Sequence, residues 1–194
     1  STAEIAKMFP QVRFLQHREL LPMADHWNLC TREARGKYVK LLCDDDWLYP
    51  GALEREVKCL ENDVSLSACA SSRNEVSWDG LHEIGNKGLN IDTTFFRNQL
   101  YWQMLIKENL PGPPSPVTFR KDLFESFPTQ YEYATDWAAW IQLLEKGPIA
   151  FLSRPGCAFR LHGENLTNHH VLSGTDFVEV MALRRECLRR LSGL

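Results

Sequence analysis

Apolar positions along the chain recur at two periods, and the switches between them mark out the elements. Met23, Trp27, Cys30 and Ala34 share one helical face, which predicts a helix over 22–35 with Gly36 as its C-cap. A β-prone run at 38–43 follows directly, and 52–60 reads as the next helix, placed just after Pro50. Between 64 and 84, β-branched and small residues flank Trp78-Asp79-Gly80, whose Asp-Gly step predicts a hairpin of two antiparallel strands. Phe96, Leu100, Met104 and Leu105 put a helix on 93–109, and the proline-rich loop 111–116 stops it before a strand at 117–119. Trp137, Trp140, Ile141 and Leu144 predict a helix that closes at Gly147-Pro148 before a strand at 149–152. At the front, 3–8 reads as the tail of a helix and 12–15 as a short strand. At the back, Phe177, Val180, Met181, Leu188 and Leu191, interleaved with Arg184, Arg185, Arg189 and Arg190, make a basic amphipathic helix. Alternating helices and strands of this kind predict an α/β fold.

Composition narrows the class. With 194 residues and 44% hydrophobic content, the chain suffices for one sizeable core, so 1–170 is expected to be one domain and 171–194 a helix packed on it or extending it. A net charge of -3 supplies no basic field, which argues against a nucleic-acid partner. The six cysteines form no C-x-x-C pair, so they are expected to be reduced core thiols rather than disulfides or a zinc site, as in a reducing cytosol. No apolar run reaches bilayer length and no signal core is visible, so a soluble, cytoplasmic protein is expected. The C-terminal helix is then left to dock on the domain, on a partner, or peripherally on an anionic membrane.

The chemistry-bearing feature is Asp44-Asp45-Asp46, three carboxylates delivered directly at the end of an apolar, strand-like stretch. In open α/β sheets ligands gather outside the carboxyl ends of strands, and adjacent carboxylates there hold a hard divalent ion that in turn holds phosphate. The bland alternative is an acidic turn that starts the next helix.

The surrounding blocks are similar to those of the family 2 glycosyltransferases, the large GT-A group. Asn28 followed by Ala34-Arg35-Gly36-Lys37-Tyr38-Val39-Lys40-Leu41-Leu42 resembles that family's entry into the acidic strand, and Asp44-Asp45-Asp46-Trp47-Leu48-Tyr49-Pro50-Gly51-Ala52-Leu53 resembles the exit. Pro114-Ser115-Pro116-Val117 resembles the segment approaching the acceptor, Thr135-Asp136-Trp137 the position of the catalytic base, and Phe159-Arg160-Leu161-His162 the close of the domain. The resemblance implies a mixed, mostly parallel sheet flanked by helices and a reaction that moves a sugar from a nucleotide-diphosphate donor to a saccharide or lipid-linked acceptor, with inversion. It also implies a Mg or Mn ion on Asp45, with Asp44 and Asp46 as further ligand or ribose contact, and Asp136 as general base. His162 is implied at the diphosphate or the metal. Arg160 and Arg120 are candidates to clamp phosphate or an acidic acceptor, or else to pair with carboxylates. A Trp beside Asp136 is either core or a sugar-stacking platform. The adjacent His169 and His170 cannot both face one ion on a regular strand and are set aside.

Two departures qualify the resemblance. Cys43 stands where many members carry an acidic residue, and Ser1 falls where a complete member would already have passed a strand, a helix and a second strand. The alternatives are a non-catalytic GT-A fragment and a nucleotidyltransferase; the latter would be expected to carry a Gly-rich basic loop near the start.

Overall fold

A computed structural model describes residues 2–107, 109–162 and 173–193. The elements run α1 (Thr2–Lys7), α2 (Met23–Glu33), β1 (Tyr38–Lys40), β2 (Trp47–Leu48), α3 (Ala52–Asn62), β3 (Ala68–Val76), β4 (Glu83–Lys87), β5 (Thr93–Phe95), α4 (Arg97–Ile106), β6 (Val117–Arg120), α5 (Thr135–Lys146), β7 (Ile149–Arg160) and α6 (Thr175–Ser192). One sheet runs in the order β1-β6-β3-β7-β2, with β4 added to β3 and β5 to β7.

The sheet is mixed, as expected, but its balance differs from the mostly parallel sheet expected. Only β3 and β7 pair in parallel among the described residues; the other five pairings are antiparallel. Only β3 and β4 are joined by a hairpin; the other antiparallel pairs bring together strands distant in sequence, and the parallel β3/β7 pair is joined by a long crossover that includes α4 and α5. The β3/β7 pair forms the spine, and its side chains alternate between two buried faces. Ala68 and Ala70 of β3, with Ile149 and Phe151 of β7, belong to a large core with Leu100, Phe119, Phe127 and Trp140. Cys69 and Ala150 face the other way, into a smaller cluster with Leu60 of α3.

Several element boundaries move for identifiable reasons. The segment 12–15 forms no strand: it has no ladder partner, and Val12, Phe14 and Leu15 are exposed. The expected helix 93–109 begins later, because Thr93–Phe95 pairs with β7, where Phe95 packs edge-on against Phe151. Helix α4 then opens at Phe96, whose N–H donates to Gln99 Oε1 (3.1 Å). Ala34 rather than Gly36 caps α2. The acidic strand ends at Lys40, three residues short of Cys43, while the last strand runs on from Leu152 to Arg160 through register shifts near Pro155-Gly156.

A buried ionic cluster ties α3 to the sheet below the site. Glu56 is fully buried and accepts hydrogen bonds from Lys40 Nζ (2.6 Å), Ser71 Oγ (2.6 Å) and Thr118 Oγ1 (2.5 Å). Arg120, a candidate phosphate clamp, is buried in a different role. It donates to the carbonyls of Leu60, Asp63 and Leu66, closing the end of α3, and among the described residues it makes no ion pair with a carboxylate. Among the described residues no helix is long and apolar enough to cross a membrane, and all six cysteines are free.

Candidate active site

A cavity of about 550 Å³ opens where β1 ends and α5 begins. Asp44, Asp45, Asp136 and His162 all line it, although 118 residues of chain separate the first from the last. Trp27 and Phe159 supply part of its apolar wall. Asp44 is exposed and Asp45 half-buried, with Asp45 Oδ2 3.1 Å from His162 Nε2. Two expected site residues stand behind this wall. Asp46 is buried and its Oδ1 accepts the Arg160 N–H (3.1 Å). The Arg160 guanidinium lies over the rings of Trp47 (5.2 Å) and Trp78 (5.7 Å), two cation–π contacts outside the cavity lining.

The proline-rich loop braces the acidic turn. Ser115 is fully buried and its Oγ accepts the Cys43 N–H (3.1 Å). Burial pushes the Asp46 carboxyl up to about 6, against the opposing pull of Ser115 and the Arg160 amide. Its Oδ2 is buried and makes no hydrogen bond among the described residues. A carboxylate oxygen so placed, with its charge disfavoured, fits a cation. Ligand atoms of Asp45, Asp46 and Cys43 lie within 4.8 Å of one another. Burial drives the Cys43 thiol up to about 12, which keeps it protonated at neutral pH. The fit is therefore to the two carboxylates and to a hard ion such as Mg or Mn, with the thiol a poor ligand for either.

Asp136 is the second residue of α5, and Ala134, not Asp136, is the N-cap. Its Oδ1 accepts the following Trp137 N–H (2.6 Å). The carboxyl keeps an opening to the cavity, yet protein surrounds it closely enough that burial pushes it up to about 7, opposed by that amide and by the charge of Arg73. Trp137 is 3% exposed and belongs to the core, so it is no sugar platform.

Two contacts fix the loop that delivers Asp136. Asn28 of α2 exchanges a pair of hydrogen bonds with the Phe127 backbone (2.8 and 2.6 Å). Glu179, from α6, accepts the N–H groups of Glu132, Tyr133 and Ala134, each at 2.9 Å, and so satisfies the donors ahead of the helix with a carboxylate from a remote element. Glu179→Ala is expected to cost about 2 kcal/mol of stability, since it strands those donors. Denaturant unfolding checks this, and a loss below about 0.5 kcal/mol would show that water replaces the carboxylate freely.

The structure brings the sequence candidates Asp44, Asp45, Asp136 and His162 to one cavity, and around it stand Arg73, Ser115 as a brace, and Glu179, which the sequence did not single out. Arg73 left one trace, a lone cation inside a strand of small residues. Glu179 left none, being one of several carboxylates on an amphipathic helix. His169 and His170 lie outside the described residues.

The fold is of the GT-A type that the sequence led one to expect, and comparison with known structures agrees. The chain superposes on the crystal structure of S. aureus TarS 1-349 in complex with UDP-GlcNAc with a TM-score of 0.71 at 15% identity, covering 97% of this chain and 54% of that one. On TarS 1-349 in complex with UDP the TM-score is 0.55 at 16% identity, over 84% of this chain and 44% of that one. In sequence it is 27% identical over 191 residues to an uncharacterized protein of Mycobacterium tuberculosis, covering 93% of this chain and 57% of that protein. It is 26% identical over 162 residues to the chondroitin synthase of Escherichia coli, with 80% of this chain and 22% of the enzyme matched. An uncharacterized glycosyltransferase of Rickettsia felis matches at 23% over 161 residues, covering 82% of this chain and 25% of that protein. No family model matches the chain. It thus spans between about a fifth and three fifths of the length of these sequence relatives.

Proposed function

We propose that this chain carries the catalytic cavity of a glycosyltransferase of the family 2 type, which moves a sugar from a nucleotide-diphosphate donor to an acceptor hydroxyl. The observation that carries this is the meeting of Asp45, His162 and Asp136 in one cavity whose buried neighbour Asp46 is poised for a cation. Relatives named as a chondroitin synthase and a glycosyltransferase favour sugar transfer over nucleotidyl transfer. Asp45 and Asp46 would hold a Mg or Mn ion, which would supply positive charge to a departing diphosphate. His162, in contact with Asp45, orients its carboxylate. Asp136 takes the proton of the acceptor hydroxyl, and its raised pKa suits it to do so near neutral pH. Attack from the face opposite the leaving group inverts the anomeric centre.

TarS was crystallised with UDP-GlcNAc and with UDP, so uridine nucleotides are the first donors to try. The acceptor is a saccharide or a lipid-linked saccharide. Helix α6 packs on α4 through its buried side, Leu183 and Cys187, and leaves Phe177, Val178, Met181 and Leu188 exposed beside Arg185 and Arg189. That composition supports peripheral contact with an anionic membrane, and failure to sediment with anionic vesicles would remove that part of the proposal.

The site assignment is tested at Asp45. Asp45→Ala is expected to weaken metal-dependent UDP binding more than about 10-fold, while Asp136→Asn leaves it nearly unchanged. Equal affinity in the Asp45→Ala variant and the unmodified chain takes Asp45 out of the site.

A further inference from the structure

A second pocket, of about 510 Å³, gathers four cations from four elements: Arg73 of β3, Lys87 of β4, Lys107 just after α4, and Arg184 of α6. Among the described residues no carboxylate lines it. None of the four makes an ion pair among the described residues, and the Nε atoms of Arg73 and Arg184 are buried there without a hydrogen-bond partner. The cluster is built rather than incidental. Arg184 Nη2 donates to the Lys107 carbonyl (2.6 Å), fastening α6 to the end of α4. Arg73 lies against the Phe159 ring (5.7 Å), and a Cβ on Gly112 would overlap its guanidinium, so both neighbours hold it in place.

Like charges collected in a recess repel one another, and desolvation adds to the cost. Burial holds Arg73 below the ordinary guanidinium range, opposed first by Glu75 on the same strand and then by Cys157, Asp136 and Asp46. Such an arrangement is relieved when an anion enters and takes the stranded N–H donors. Arg73 also places the pocket relative to the chemistry. Its packing partner Phe159 lines the catalytic cavity, and its charge acts on Asp136. Across Phe159 the pocket therefore adjoins the catalytic cavity rather than standing apart from it.

We infer that this pocket seats an oxyanion, a carboxylate or a phosphate, carried by the acceptor beside the hydroxyl that Asp136 deprotonates. The inference rests on the proposed glycosyl transfer for the word acceptor, but the anion site itself does not. The donor diphosphate has its own cation at Asp45 and Asp46, whereas the four-cation pocket supplies its positive charge from side chains alone. The enzyme thus selects acidic acceptors.

Equilibrium titration of the 194-residue chain with inorganic phosphate, and separately with glucuronate, in the presence of chelator and without nucleotide, tests the site. Saturable binding at millimolar concentration is expected for at least one. Phosphate alone marks a phosphorylated acceptor, and glucuronate alone a uronate-containing one. The exposed pair Lys87→Gln with Lys107→Gln is expected to weaken that binding about 10-fold, while Asp45→Ala leaves it unchanged. No saturable binding of either anion, or an unaltered affinity in the double variant, overturns the inference. Displacement of the bound anion by saturating UDP with Mn²⁺ would overturn the acceptor assignment and place the pocket in the donor site. Anion binding that survives while metal-dependent UDP binding fails would retain the anion site and sink the proposed transfer, so the two failures are separable.

Discussion

Asp136→Asn is expected to lower sugar transfer by roughly 10²- to 10⁴-fold with donor affinity nearly intact, the range for removing a positioned general base. Transfer by the unmodified chain should rise with pH through about 7, because burial raises the Asp136 carboxyl to that value and only its ionised form accepts a proton. The same burial has a signed effect on stability. A carboxyl that holds its proton more tightly when folded stabilises no further as pH rises; it costs stability from the unfolded value near 4 upward, and the cost is complete above about 7. The Asn variant should therefore be more stable than the unmodified chain at pH 8, by about 1 to 2 kcal/mol after allowing for the group's opening to the cavity, and no more stable near pH 4. A variant that loses activity while gaining stability at high pH is the signature of a strained catalytic group. Near-normal turnover would leave Asp136 as a first-turn residue of α5 and nothing else.

Glu56→Ala is expected to be the most damaging single change to the fold, costing about 3 to 5 kcal/mol. It leaves the Lys40 ammonium, whose side chain is 5% exposed, without its partner, together with the hydroxyls of Ser71 and Thr118. Lys40 ends the strand that leads to Asp44, so the acidic turn should lose its footing with it. Replacing both partners by apolar residues, Lys40→Met with Glu56→Leu, should recover most of the loss, because the main cost lies in stranding a buried charge rather than in lacking the pair. Urea denaturation midpoints decide it. A loss below about 1 kcal/mol from Glu56→Ala would show that water reaches Lys40 and that the cluster is not a buried ion pair.

What could be read from the chain and what could not divides along physical lines. Strong local patterns carried through: the Asp-Gly hairpin between β3 and β4, and the apolar stripe of α5, appear where periodicity put them. Boundaries failed where pairing across the sheet overrode local pattern, as at Thr93–Phe95, which β7 captured, and at Val12, whose segment found no neighbour. The acidic run and Asp136 were singled out because their blocks resemble a known family in order, and the fold brings Asp44, Asp45 and Asp136 to one cavity. Asp46 and Asp45 occupy adjacent positions but point to opposite fates, one buried against the Arg160 amide and one lining the cavity, and no sequence pattern distinguishes them. Arg160 and Arg120 illustrate the same limit: each was a candidate clamp, and one lies over two tryptophan rings while the other closes α3. Roles set by a remote element, such as Glu179 holding the approach to α5, have no local signal at all.

The central claim is that the turn at Asp44 to Asp46 is a nucleotide-diphosphate site. Calorimetric titration of the 194-residue chain with UDP, first with Mn²⁺ and then with chelator, tests it most directly, with GDP as the comparison nucleotide. Saturable binding that needs the metal is the predicted result. A folded sample that binds neither nucleotide, or binds equally well with the metal removed, would contradict it.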